Sequence, residues 1–374
     1  MITNFHTNGL NSGLDFSVYP QMDNTYALHV FDVFSLNWLK QLVASRGQPG
    51  MIINDHVVSF DGLKEYDIAF YGLPLWLIRE KQQWSIDEYN DTDPLITEKC
   101  CNFIVNRKQG SRYILLKMVD MFLKPEHYFH TYSGIAREFD CKHFIHDMNV
   151  LGKNSPLSAE ERLKFLQPVE VESHWMPNYG TDLKSLNTAT GNYQGRVGYG
   201  KMRDNWDTIK KIYLNSAVAL ITETGDITDD GANDNQAAVT EKSLWPIIGL
   251  NFPIWVGSHR HAEIWQKMGL DIFEDVIDHS HQYYNTILER SVYAIKNNLE
   301  IITNVELAHS LRQKHHDRLL ANRRLILGNA LENYTDQIIA SADPNHQPYL
   351  RQVKHIFDSL PYDAARFHDY DAMS

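Results

Sequence analysis

Tyr213-Leu214-Asn215-Ser216-Ala217-Val218-Ala219-Leu220-Ile221-Thr222-Glu223-Thr224 and, after a polar loop, Val239-Thr240-Glu241-Lys242-Ser243-Leu244-Trp245-Pro246-Ile247-Ile248-Gly249-Leu250-Asn251-Phe252-Pro253-Ile254-Trp255-Val256-Gly257 decide the fold. Residues 217–221 form a continuous apolar run of strand length, as a strand buried on both faces requires. Before it, Trp206, Ile209, Tyr213 and Ser216 fall on one helical face. After it, the loop Thr224 to Gln236 leads to a helix opening near Thr240, on which Leu244, Ile247 and Ile248 face a sheet, and then to a strand at Phe252 to Val256. This is a strand, helix, strand unit of a parallel α/β sheet.

Such sheets bind ligands beyond the carboxyl ends of their strands, where loops enter helix N-termini. Thr240-Glu241-Lys242 occupies that position. Thr240 suits an N-cap, Glu241 has two acceptor oxygens for the two hydroxyls of a ribose, and Lys242 is a cation able to offset a diphosphate. The competing reading is a plain N-cap with an acidic first turn. The tripeptide has no weight alone, because Thr97-Glu98-Lys99 repeats it just before a strand. That copy is read as a decoy.

The weight lies in the surroundings. A strand ending in Glu223, a Val-Thr-Glu-Lys helix and the strand Pro253-Ile254-Trp255-Val256-Gly257 together resemble the fucosyltransferase family and related phage-encoded GT-B-like glycosyltransferases. The resemblance continues through Met268-Gly269-Leu270-Asp271-Ile272-Phe273 and Val276-Ile277-Asp278, so it covers residues 204–300 well and the order of elements over 98–134 loosely. It implies a GT-B-like α/β fold of two Rossmann-like domains with a donor-site cleft between them. It also implies transfer of a sugar from a nucleoside-diphosphate sugar to an acceptor hydroxyl on a glycan, a small molecule or a modified DNA base. An Arg at the start of the first donor-domain helix contacts the phosphates in that family; Arg112 matches it better than Arg107, against the equal alternative that Arg112 is an ordinary solvated helix residue. Glu223 matches the strand-end Glu, but the Asn that usually follows is Thr224 here, which leaves base and sugar specificity open.

The rest of the chain is divided around that unit. Residues 1–95 carry strand-like runs at 25–31, 51–54 and 66–71 with a helix over 36–44, and read as an acceptor-side α/β domain ending in the polar linker 87–94. Residues 98–335 form the donor domain, with a strand at 101–105, a helix from Arg112 to Val119, a strand at 127–133 and an irregular insertion over 135–203. Helices are expected over 286–298 and, as one long element, over 304–331; residues 336–374 form a C-terminal helical segment with a break at Asp343-Pro344-Asn345. An inverting transfer needs a carboxylate or His facing the cleft from the first domain, for which Asp32, Asp55, His56 and Asp67 are weak candidates.

Other signals are set lower. Gly195-Arg196-Val197-Gly198-Tyr199-Gly200-Lys201-Met202 has the spacing of a phosphate-binding loop, but Met202 replaces the magnesium-binding hydroxyl, so the stretch reads first as an idle glycine-rich turn and second as a loop offering Arg196 or Lys201 to the donor phosphates. His259, His261, His279 and His281 are read as solvated or hydrogen-bonded rather than metal-binding, and no metal or further cofactor is expected. Cys100 and Cys101 read as buried small residues. Lys314-His315-His316-Asp317-Arg318 and Arg323-Arg324 read as the wet face of a long helix, with a nucleic-acid contact as the alternative.

Bulk properties constrain the alternatives. A formal charge of -12 disfavours broad binding to nucleic acid or anionic membranes. It weighs against the rival reading of a phage-type enzyme acting on modified DNA bases. A second rival is a non-catalytic virion or interaction protein that keeps the fold without turnover. Three cysteines, no secretory signal and no apolar run of spanning length suggest a cytoplasmic protein, in the host cytoplasm if virus-encoded.

Overall fold

The computed structural model describes, apart from isolated positions, residues 27–30, 49–54, 57–60, 66–81, 96–105, 110–132, 155–165, 212–223, 236–257 and 259–359. At its centre is a four-stranded parallel sheet built from β5 (Lys99–Val105), β6 (Tyr128–Tyr132), β7 (Ser216–Ile221) and β9 (Phe252–Trp255). Their spatial order is β6-β5-β7-β9. The chain therefore builds outward from β5 in one direction and from β7 in the other, which makes the β5/β7 boundary a topological switch point.

Helices cover both faces of this sheet, as an all-parallel arrangement requires. Side chains alternate along each strand, so Ile104, Ala219, Ile221 and Trp255 enter one core while Phe103, Val218, Leu220 and Ile254 enter the other. The second core is closed by α2 (Gly110–Phe122), α6 (Ile287–Asn297), α7 (Leu299–Thr303) and α8 (Val305–Lys314). Thr286 and Glu289 start α6 with a reciprocal capping box, Thr286 N donating to Glu289 at 3.1 Å and Glu289 N to Thr286 Oγ1 at 3.2 Å. The first core is closed by α4 (Glu241–Ile248), α5 (His261–Lys267) and α9 (His316–Leu327). Between α2 and β7, the described part of the 135–203 segment includes α3 (Ala159–Phe165), tied to α6 where Lys296 pairs with Glu161 at 3.0 Å.

A second parallel sheet, order β1-β2-β4, joins β1 (Ala27–Val30), β2 (Met51–Asn54) and β4 (Ala69–Gly72). Met51, Ile53 and Leu73 share the first core with residues of β7 and α4. A further strand, β3 (Val57–Phe60), pairs antiparallel with β8 (Gln236–Ala238), joining the early part of the chain to the loop that precedes α4. The C-terminal helices α10 (Ala330–Ser341) and α11 (Gln347–Ser359) return to α1 (Leu75–Lys81). There Lys81 donates to the Gly328 carbonyl and pairs with Glu332, while Tyr71 hydrogen-bonds His346 at 2.8 Å.

Several sequence expectations are revised. The long helix over 304–331 is interrupted after Lys314, where His315 departs from helical backbone angles at φ -105 and ψ 16, and again at Gly328, which terminates α9. Nor is the basic run uniformly wet. Arg323 is buried and donates to the Ile248 carbonyl at 2.7 Å, His315 is buried, and Arg318 bridges Asp271 and Asp275. Ser216 opens β7 rather than closing the preceding helix; its hydroxyl donates to the Ile212 carbonyl and accepts from Asn102 Nδ2. The strands β3 and β8 were not expected. The linker 87–94, Trp206 and Ile209 lie outside the described residues, as does residue 336–374 beyond Ser359.

Candidate functional site at the carboxyl edge of the sheet

Glu223 follows β7 by two residues and is 1% exposed. Burying a carboxylate is costly unless its oxygens are met by donors. Here the donors come from the start of α4: Thr240 N at 3.2 Å, the Thr240 hydroxyl and the Ser243 hydroxyl. Thr240 has extended backbone angles and its Oγ1 accepts from Lys242 N at 3.3 Å, so it is the N-cap of α4. Ser243 stands at N3, where a capping box would carry Glu or Gln. The carboxylate arrives instead from the neighbouring strand, 17 residues away from Thr240 in sequence.

Charge-assisted hydrogen bonds of this kind contribute about 1.5–3 kcal/mol each, and the positive end of the α4 dipole favours the same anion. Glu223 thus fixes α4 against β7. Trp255 extends the link to β9, its indole Nε1 donating to Ser243 Oγ at 3.1 Å. Two consequences follow for a ligand. Glu223 is occupied in positioning the helix, and the helix dipole is already answered by a carboxylate. A bound diphosphate would have to be balanced by side-chain cations.

Two cations stand at helix starts on this edge. Lys242 lies in the first turn of α4 and is half-buried. Arg112 is the third residue of α2, which begins shortly after the carboxyl end of β5, and its side chain is fully buried. The β5–β7 register pairs Asn102 with Ala219, which brings the carboxyl ends of the two strands side by side. The switch point therefore has Arg112 following one strand and the Glu223–Thr240–Ser243 cluster following the other. Glu241 opens α4, its side chain outside the described residues; Asp32, Asp55, His56 and Arg196 also lie outside them. Asp67 is described and exposed.

The second Thr-Glu-Lys copy sits at the opposite end of the sheet. Glu98 precedes the first residue of β5 and accepts from Asn215 Nδ2 at 3.0 Å, and Lys99 Nζ donates to the Pro125 carbonyl at 2.6 Å. The first contact ties the amino end of β5 to that of β7 and the second ties it to the turn that precedes β6.

Sequence reasoning missed Ser243 and the aromatic cluster beside β9. His261 is 1% exposed, its ring centroid 5.5 Å from that of Trp255 and 6.3 Å from that of Trp265. Neither ring nitrogen has a hydrogen-bond partner among the described residues, and burial pulls the imidazole down to about 3, so it is neutral. His281 is also buried, with Nε2 2.9 Å from the Trp255 carbonyl and Nδ1 3.1 Å from that of Asp278; desolvation lowers it to about 4. His279 is lowered by burial as well. His279 and His281 are thus hydrogen-bonded, as one of the two sequence readings has it, and none of the three is solvated; no group of three or more His, Cys, Asp or Glu suited to a metal occurs among the described residues. Cys100 and Cys101 are buried, and desolvation pushes the Cys100 thiol up to about 11. A sequence signal for the cluster existed in His261 and Trp265, which are i, i+4 on α5 directly after an apolar strand.

No helix among the described residues is long and apolar enough to cross a membrane. Comparison of the chain with protein-family models, with curated proteins and with solved structures finds no match.

Proposed function

We propose that the protein is a glycosyltransferase that moves a sugar from a nucleoside-diphosphate sugar to an acceptor hydroxyl, with the donor held at the carboxyl edge of β5 and β7. The observation that carries the reading is the coincidence of the switch point with the Glu223–Thr240–Ser243 cluster. A parallel sheet of order β6-β5-β7-β9 opens its ligand crevice between β5 and β7, and the family-like motif stands there. The decoy copy stands at the other end.

In this reading Glu223, Thr240 and Ser243 are positioning residues. They hold the first turn of α4, in which we assign Glu241 to the ribose hydroxyls and Lys242 to the diphosphate. Arg112 adds a second positive charge from the start of α2, which favours departure of the nucleoside diphosphate. The early part of the chain would supply the acceptor side of a GT-B-like cleft and the base that takes the acceptor proton. No metal or further cofactor enters the proposal.

The test is a thermal-shift panel of UDP-, GDP-, ADP- and CMP-sugars. A donor at a hundred times its dissociation constant stabilises the folded state by about 2.7 kcal/mol. At least one donor should raise the melting temperature of wild-type protein and of Glu98→Ala, but not of Glu241→Ala. No shift with any donor would reject the enzyme, and equal behaviour of the two variants would reject the choice of motif.

A further inference from the structure

The chain leaving β9 turns through Arg260, a non-glycine residue in the left-handed region at φ 55. Such a backbone is disfavoured for a residue with a Cβ and persists where the surroundings hold it. What holds it is a set of contacts centred on Tyr283. Arg260 N donates to the Gln282 carbonyl at 3.4 Å, its guanidinium lies 5.7 Å from the Tyr283 ring centroid, and its Nε pairs with Glu263 at 3.2 Å. Tyr283 OH donates to the same Glu263 carboxylate at 2.7 Å.

This arrangement is anchored to the carboxyl edge. His281, two residues before Tyr283, contacts the carbonyl of Trp255, the last residue of β9, and Ala262 N donates to Gln282 Oε1 at 2.7 Å. Trp255 in turn reaches Ser243 on α4. Tyr283 is nonetheless 54% exposed, the most exposed of the large aromatic side chains among the described residues. An aromatic ring fixed at its hydroxyl and backed by a guanidinium, with over half its surface in water, is pre-organised for a planar partner. Rotamer entropy that binding would otherwise cost has already been removed.

We infer that Tyr283, with Arg260 behind it, is a platform on which a nucleobase stacks. Aromatic stacking tolerates any base because each presents a π-face, and Arg adds a cation–π contribution. We assign the base to a mononucleotide, because the net charge of -12 disfavours a nucleic acid strand. Identifying that mononucleotide as the sugar donor rests on the glycosyltransferase reading.

Isothermal titration of UDP, GDP, ADP and a short single-stranded oligonucleotide into wild type, Tyr283→Ala, Tyr283→Phe and Lys242→Ala tests the inference. At least one diphosphate should bind wild type. Tyr283→Ala should weaken it roughly 5- to 150-fold, the range for loss of one aromatic–base stack, and Tyr283→Phe, which keeps the ring but loses its tie to Glu263, should weaken it less than Tyr283→Ala. Binding that Lys242→Ala weakens but Tyr283→Ala leaves unchanged would overturn the platform and leave the donor site standing. Tyr283-dependent binding of the oligonucleotide alone would uphold the platform and overturn both the mononucleotide assignment and the donor reading. No binding of any probe would overturn both.

Discussion

Lowering the pH from 7 to 5.5 should destabilise the protein through His261, and the size of the effect can be worked out. In the folded state the imidazole is fully buried beside the stacked indoles of Trp255 and Trp265, with no hydrogen-bond partner for either nitrogen among the described residues, and burial lowers it from 6.5 to about 3. In the unfolded chain it titrates near 6.5. Above pH 7 both states hold it neutral and it gives no pH dependence. Between 6.5 and about 3 only the unfolded state takes up the proton, so stability falls as pH falls. From pH 7 to 5.5 the linkage relation gives a loss of about 1.2 kcal/mol, growing to about 2.5 kcal/mol by pH 4.5. The assay is urea denaturation of wild type and His261→Phe at the three pH values. Any repacking cost of the substitution is the same at each pH, and His279 and His281 titrate in both proteins. The stability difference between the two should therefore shift in favour of the variant by those amounts. Parallel pH curves would refute a neutral, uncompensated His261.

Three further outcomes are expected. Arg312 is buried and donates to the carbonyls of Leu250, Leu214, Tyr213 and Gly249 at 2.7–3.0 Å, so Arg312→Met should cost about 3–5 kcal/mol in urea denaturation by leaving those carbonyls without their charged donor. A Cβ on Gly249 would lie 2.4 Å from Tyr213 Cβ, so Gly249→Ala should lower the urea midpoint by an amount equivalent to about 1–3 kcal/mol. Glu223→Gln places an amide N–H₂ against donors that need an acceptor; it should cost about 1–3 kcal/mol and abolish the donor-induced thermal shift, whereas retention of that shift would separate α4 positioning from binding.

Much of this architecture was legible in the sequence because it rests on local signals. The apolar run at 217–221, the Thr240 cap and the alternation of strand and helix each leave a mark within a few residues. The β7, α4 and β9 boundaries lie close to where the pattern placed them. What was not legible depends on partners distant in sequence. Arg323 reads as a solvated helix residue until the Ile248 carbonyl, 75 residues away, supplies its acceptor, and Arg312, which carries no signal in the sequence, is met by carbonyls 62 to 99 residues away. β8 is only three residues long and draws its pairing from β3, far earlier in the chain. At the site, Thr240 was recognisable as a cap, but the role of Glu223 was not. A strand-end carboxylate that could meet a ligand turns out to have both oxygens engaged by Thr240 and Ser243.

Amide hydrogen exchange with and without a saturating sugar nucleotide tests most directly whether the donor binds at the β5/β7 switch point, as proposed. Protection should appear at residues 222–223, at 239–245 in the first turns of α4, and at the start of α2 around Arg112, with the amino-end copy at 97–99 unchanged. Protection absent from those segments, or confined to another part of the chain, would contradict it.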